Sequence, residues 1–209
     1  MELKRNWGDD GECFSDRKLP GGLIFQDEDL DRAANRVMVT QTGIRSLKLT
    51  QFRVYGPLGR TKDPKDIMWL ERVHSVHADR IITVAYMALT RKWNYMRVKE
   101  NLVWVPIDQL PLLAFDHSRI IQDARSFLSD YVVREPEVLF RILPHLFTAS
   151  QFRKVYNLLM NRDVDSPNIY KKIKIIPYVV EHKQIDKSSL SRATHYYRFD
   201  SKKYKKYRM

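Results

Sequence analysis

The sequence predicts an α/β sandwich followed by a winged helix-turn-helix domain of the α+β class. Three observations predict it: a loop–helix–loop unit near the N-terminus flanked by strand-like runs, two short helices with two aromatic strands behind them near the C-terminus, and an uneven charge. The 209 residues carry a net charge of +12. Residues 151–209 hold fifteen Lys and Arg against five Asp and Glu, a net of +10, which leaves +2 on the first 150. That asymmetry points to a polyanionic partner for the C-terminal part alone. A content of 44% hydrophobic and 11% aromatic residues suits a packed core. No apolar run approaches the ~18 residues that span a bilayer, so no membrane role is expected. Met1 to Asn6 has no apolar signal region, and Cys13 is the single cysteine, so a reducing cytoplasm is the expected location.

In chain order, Leu19-Pro20-Gly21-Gly22 reads as a tight strand-to-loop turn. Asp27-Glu28-Asp29 supplies cap candidates and negative charge at a helix start. Leu30, Ala33, Ala34, Val37 and Met38 form one apolar stripe at helical spacing, and Gly43 is placed to end the helix. Residues 80–89 and 102–106 read as buried strands. The segment 65–79 looks like an insertion. Within it, Glu71, His74 and His77 suggest either a metal site or a solvated helix face; two histidines with no cysteine favour the second. Asp116 is placed to cap a helix bearing Ile120, Ile121, Ala124, Phe127 and Leu128. Asp116-His117 as a catalytic pair has no neighbouring nucleophile.

After Arg134-Glu135-Pro136 the character changes. Thr148 caps a helix with Phe152, Val155, Tyr156, Leu158 and Leu159 on its apolar side. Ser166-Pro167 opens a second, with Ile169, Ile173 and Ile176 inward. Its outward positions are Asn168, Tyr170, Lys171, Lys172 and Lys174. An apolar back and a basic, Asn-bearing front are what a major-groove reading helix needs. Tyr178-Val179-Val180 and Tyr196 to Phe199 read as strands of a wing, joined by a basic loop. The tail from Lys202 to Arg208 adds charge suited to phosphate.

Gly22, Glu28, Arg36 and Gly43-Ile44 at their spacing resemble the Nudix box. In that family the helix after Arg36 carries glutamates that hold Mg²⁺ on a pyrophosphate substrate; here those positions are Val37, Thr40 and Gln41. Residues 59–64 resemble the Arg-Asp-Pro segment of Nudix-related transcriptional regulators, as does Leu113-Ala114-Phe115-Asp116-His117. Leu143-Pro144, Phe147-Thr148, Val155-Tyr156, Asp165, Asn168, Lys172-Ile173 and Tyr197-Arg198-Phe199 resemble their C-terminal domain. Met1 to Arg5 then corresponds to the second Nudix strand. The departures are Ile169 and Tyr170, where the family often has Phe and Arg.

The resemblance is to Nudix-related regulators of the NAD-metabolism or arabinose-responsive type. It implies a Nudix-like effector-sensing domain at 1–115, a connecting helix and linker at 116–136, and a winged-helix DNA-binding domain at 137–209. It implies a cytoplasmic homodimer that binds double-stranded operator DNA and responds to a pentose sugar such as arabinose or to an ADP-ribose-like effector. The expected DNA-binding residues are Ser166, Asn168, Tyr170, Lys171, Lys172, Lys174, Lys187, Arg192 and Arg198. The expected effector-binding residues are Glu28, Arg36, Arg60 and Arg80, with Glu28 and Arg36 alternatively forming a structural ion pair. No catalytic residue, metal or cofactor is expected, and the chain is read as a non-enzyme. The competing readings are a Nudix pyrophosphohydrolase acting on ADP-ribose or a related nucleotide, and an RNA-binding adaptor.

Overall fold

The computed structural model describes residues 2–7, 14–60, 62–75, 80–91, 99, 102–182 and 195–208, with the backbone alone at 2–7, 14 and 15. Two compact units divide the chain, 1–124 and 125–209, and the division falls inside one helix, α3 (His117–Arg134).

In the first unit, β1 (Glu2–Trp7) pairs antiparallel with β2 (Phe14–Lys18) on one side and with β5 (Leu102–Val103) on the other. A second sheet pairs β3 (Leu49–Tyr55) with β4 (Thr83–Ala88), antiparallel, with a register shift between Gln51 and Arg53. The inward residues Tyr55 and Ala85 pack on Ile120 of α3, with Leu19 and Phe52 at the margin. The first turn of α3 is thereby fixed to this sheet.

Helix α1 (Leu30–Val37) starts where Asp29 accepts from the Arg32 amide at 2.7 Å. Ala33 and Met38 are buried, whereas Leu30 is exposed, so the buried stripe begins a turn later than the spacing implied. Residues Met38–Thr42 then widen into a π-helical turn. Here the Thr40 and Thr42 hydroxyls donate to the carbonyls of Arg36 (2.8 Å) and Met38 (2.6 Å). Gly43 closes the segment at φ 76°, a left-handed conformation that glycine adopts without steric cost. Most of α2 (Pro64–His74), opened by the Asp63 carboxylate and Pro64 in the first turn, falls in the stretch 65–79 that resembles an insertion. Buried Asp66 on this helix accepts from the Phe115 amide at 3.0 Å.

In the second unit, α4 (Glu137–Ile142) leads to β6 (Phe147–Thr148), α5 (Ala149–Met160), α6 (Ser166–Ile175), β7 (Val179–His182) and β8 (Tyr196–Phe199). The strands form a sheet of order β6-β8-β7, with Val180 opposite Arg198. Thr148 and Gln151 make a reciprocal capping box at the start of α5, and Asn161 ends it in a left-handed conformation. Asp165 caps α6 by accepting from the Asn168 amide at 2.9 Å, one residue earlier than Ser166. Phe147, Phe152, Leu143, Ile169 and Ile173 are the largest fully buried side chains. Around them Phe140 stacks on Phe199 with centroids 4.7 Å apart, and Tyr178 meets Phe140 edge-on at 6.0 Å. The chain ends in α7 (Ser201–Arg208), a helix where the sequence suggested only a basic tail.

Candidate nucleic-acid interface and effector cleft

Helix α6, the expected reading helix, is pinned by two isoleucines. Ile169 and Ile173 are buried, and at about 100° per residue the direction opposite their midpoint is that of Lys171. Asn168, Lys174 and Ile175 flank Lys171 on this outward face, and all four are exposed. Ile175 is 77% exposed and belongs to this face, although an inward stripe of Ile169, Ile173 and Ile176 does not single it out. An exposed isoleucine here suits van der Waals contact with a thymine methyl group.

Three expected residues sit at the edges of that face. Tyr170 is exposed at one flank. The Ser166 hydroxyl accepts from Arg153 Nη1 of α5 at 3.3 Å. Lys172 departs furthest from expectation: it is half-buried, its ammonium 5.1 Å from the Tyr156 ring centroid. Lys172 therefore joins α6 to α5 rather than pointing away from both. In the wing, Arg198 is half-buried on β8, while Lys187 and Arg192 lie outside the described residues.

In the first unit the arginines expected to hold an effector are occupied differently. Arg60, its side chain only 6% exposed, grips Asp116 with two hydrogen bonds of 2.9 and 2.6 Å and reaches Thr83 Oγ1 at 2.6 Å. Burial raises the Asp116 carboxyl, but the hydrogen bonds and charge of Arg60 outweigh it and hold it below the usual carboxylate range. The neighbouring His117 ring accepts from the Leu19 amide at 3.0 Å. Both residues of the would-be catalytic pair thus have structural work. Nearby, Tyr55 donates to Asp123 at 2.9 Å; burial first, then this bond, pushes its phenol up to about 12. Arg80 is exposed and donates to the Gly56 carbonyl at 2.8 Å. Arg60 and Arg80 line one cleft of about 320 Å³ with Lys62, Ile67, Pro57 and Ile81.

Glu28 and Arg36 are turned to each other. Arg36 Nε donates to Glu28 Oε2 at 2.8 Å and a second nitrogen pairs with the other oxygen. Arg36 also donates to the Leu23 carbonyl at 2.7 Å and lies 3.8 Å from the Phe25 ring centroid. Glu28 in turn accepts from the Phe25 amide at 2.9 Å. The pair is a clasp that folds the loop 23–28 over the start of α1. The Arg36 hydrogen bond holds the Glu28 carboxyl down at about 2.

The Nudix resemblance implies a Mg²⁺ site, and the side chains present do not fit one. Gln41 is tied to Gly21 in both directions, accepting from its amide at 3.0 Å and donating to its carbonyl at 2.7 Å. The Thr40 hydroxyl is turned back onto its own helix, and Val37 lies close over Gly22. Glu28 faces Arg36. Among the described residues no three His, Cys, Asp or Glu cluster as ligands. Of the Glu71, His74 and His77 set, Glu71 and His74 lie on α2 and His77 is outside the described residues.

Residues 139–199 match the family model of the NrtR DNA-binding winged helix domain. The fold is similar to that of Shewanella oneidensis NrtR, at 19% identity and a TM-score of 0.63, covering 97% of this chain and 87% of that one. It is similar to the same protein complexed with a 27mer DNA, again at 19% identity and 0.63, covering 95% and 85%. A MutT/nudix family protein from Enterococcus faecalis matches at 20% identity and a TM-score of 0.60, covering 95% of this chain and 78% of its own. No curated protein matches the chain. The architecture is a Nudix-like α/β domain followed by a winged helix. No described helix is long and apolar enough to cross a membrane.

Proposed function

We propose that the chain is a ligand-responsive transcriptional regulator. Its winged helix binds double-stranded operator DNA, and its Nudix-like unit senses a small molecule without hydrolysing it. The observation that carries the reading is the outward face of α6, where Asn168, Lys171, Lys174 and Ile175 stand opposite a buried pair in a domain matched to a DNA-binding winged helix. Lysine reaches guanine edges or phosphate, asparagine reads adenine, and isoleucine meets a thymine methyl. The assembly we infer is a cytoplasmic homodimer, which would place two such helices on half-sites about one helical turn apart.

The proposed effector is a pentose such as arabinose or an ADP-ribose-like molecule. The cleft lined by Arg80 and Lys62 is the better-placed receptor, because both cations are exposed there. Glu28 and Arg36, by contrast, satisfy each other, and Arg60, in the cleft wall, is closed onto Asp116. An effector alters DNA binding only to the extent that it prefers one of two arrangements of the protein. A non-hydrolytic role is supported by the commitment of Gln41, Thr40 and Glu28 to internal partners.

The test is binding of a labelled duplex from the region upstream of the chain's own coding sequence, with and without arabinose or ADP-ribose. Lys171→Ala with Lys174→Ala is expected to weaken binding at least about ten-fold, each good base contact being worth roughly 1–3 kcal/mol. Undiminished affinity in that double variant would refute the placement of the reading helix. Mg²⁺-dependent hydrolysis of ADP-ribose that disappears in Glu28→Gln would refute the non-enzymatic role.

A further inference from the structure

Helix α7 lies beyond the matched winged-helix segment. The crowding of its cations, with lysines in the first turn, works against its stability even though Lys205, Lys206 and Arg208 suit the last turn. Its eight residues include Lys202, Lys203, Lys205, Lys206 and Arg208 and no acid. Lysines in the first turn oppose the helix dipole, like charges three and four residues apart repel, and so short a helix is marginal alone. It is held by the rest of its unit. The Asp200 carboxylate accepts from the Lys202 and Lys203 amides, both at 3.1 Å. Tyr204 is buried, its ring 4.9 Å from that of Tyr178 and 5.4 Å from that of Phe199. Arg208 forks onto Glu135 at 2.7 and 3.1 Å.

What this anchoring displays is one face of ammonium groups. At about 100° per residue, Lys205, Lys202, Lys206 and Lys203 follow one another around the helix, and their mean direction is opposite Tyr204. All four are exposed, and none forms an ion pair among the described residues. Tyr207 at the far end packs on Tyr178 with centroids 5.5 Å apart, so α7 is fastened to the segment by which the chain leaves the reading helix.

We propose that α7 is a rigid clamp for the phosphate backbone of duplex DNA, gripping it beside the stretch read by α6. The proposal rests on the DNA-binding reading above and extends it to a second surface. Complementarity of charge selects the occupant. The helix is ~12 Å long, and a DNA strand carries a phosphate every ~3.4 Å of axis, so its lysines can meet several phosphates at once. Contacts of this kind add affinity and salt dependence but no base preference.

The test uses the full chain and the quadruple variant Lys202→Gln, Lys203→Gln, Lys205→Gln, Lys206→Gln, on the upstream duplex and on a scrambled duplex of equal length. Affinity is measured across a salt series. The slope of log affinity against log salt should become shallower by about 0.9 per lost contact, up to about 3.6. At low salt both duplexes should be bound at least about ten-fold more weakly, with the ratio between them unchanged. The Lys→Arg quadruple variant should keep the parental slope, and melting by circular dichroism should show both variants folded. A folded Gln variant with the parental slope overturns the clamp while leaving α6 untouched. A changed ratio between duplexes overturns it too, since the lysines would then be reading bases. A parent that binds neither duplex sinks the DNA-binding reading itself.

Discussion

The ion-paired arginines of the first unit and the helix lysines of the second put their charge to opposite uses. In the first, Arg36 is closed onto Glu28, Arg53 onto Asp123 and Arg60 onto Asp116. In the second, Lys171 and Lys174 of α6 and the four lysines of α7 form no ion pair among the described residues, although the charge of Lys203 acts on the nearby Asp200 carboxylate. A paired guanidinium is a structural joint, its charge cancelled nearby. An open ammonium on a rigid helix is a field directed outward. The difference teaches that net charge matters for binding only after the internal pairs have been subtracted.

The sharpest way to break this contrast is Arg60→Ala. Removing one partner of a well-enclosed ion pair strands the other, so stability should fall by about 3 kcal/mol. The urea midpoint checks it, and a midpoint unchanged beside the parent's would mean the pair is not a joint. Next in size is Lys172→Ala. Lys172 is the exception among the α6 lysines, and losing its contact with Tyr156 should lower stability by about 0.5–1 kcal/mol. Its effect on DNA affinity should be smaller than that of Lys171→Ala.

The smallest effect is expected at the half-buried Glu28–Arg36 clasp. The Glu28 carboxyl is lowered from 4.5 to about 2, so its pairing stabilises the fold above pH 4.5 and that contribution is lost as pH falls toward 2. Glu28→Gln should melt below the parent at neutral pH, and the two melting curves should converge as pH approaches about 2. A constant gap over that range would show that Arg36 does not set the carboxyl's acidity.

Helices α5 and α6 were legible because each has a capping residue, an apolar stripe at helical spacing and a clear stop. Gly43 was legible for the same reason. Strand β3 was not, because Thr50, Gln51 and Arg53 interrupt its apolar residues and only Tyr55 among them is fully buried. Helix α7 escaped because Tyr204 is its single buried residue, and one residue has no period. At the candidate site, sequence supplied the outward lysines of α6 but misjudged Lys172, whose neighbour Tyr156 belongs to another helix. It likewise could not show Arg60 closed onto Asp116, a residue 56 positions away.

The aromatic core of the second unit has a practical corollary. Its interlocked rings are phenylalanine and tyrosine only, for all four tryptophans of the chain, Trp7, Trp69, Trp93 and Trp104, belong to residues 1–124. Tryptophan emission therefore watches one half of the protein alone, while far-ultraviolet ellipticity follows the helices of both. Whether the halves melt together or in turn can be followed without attaching a dye.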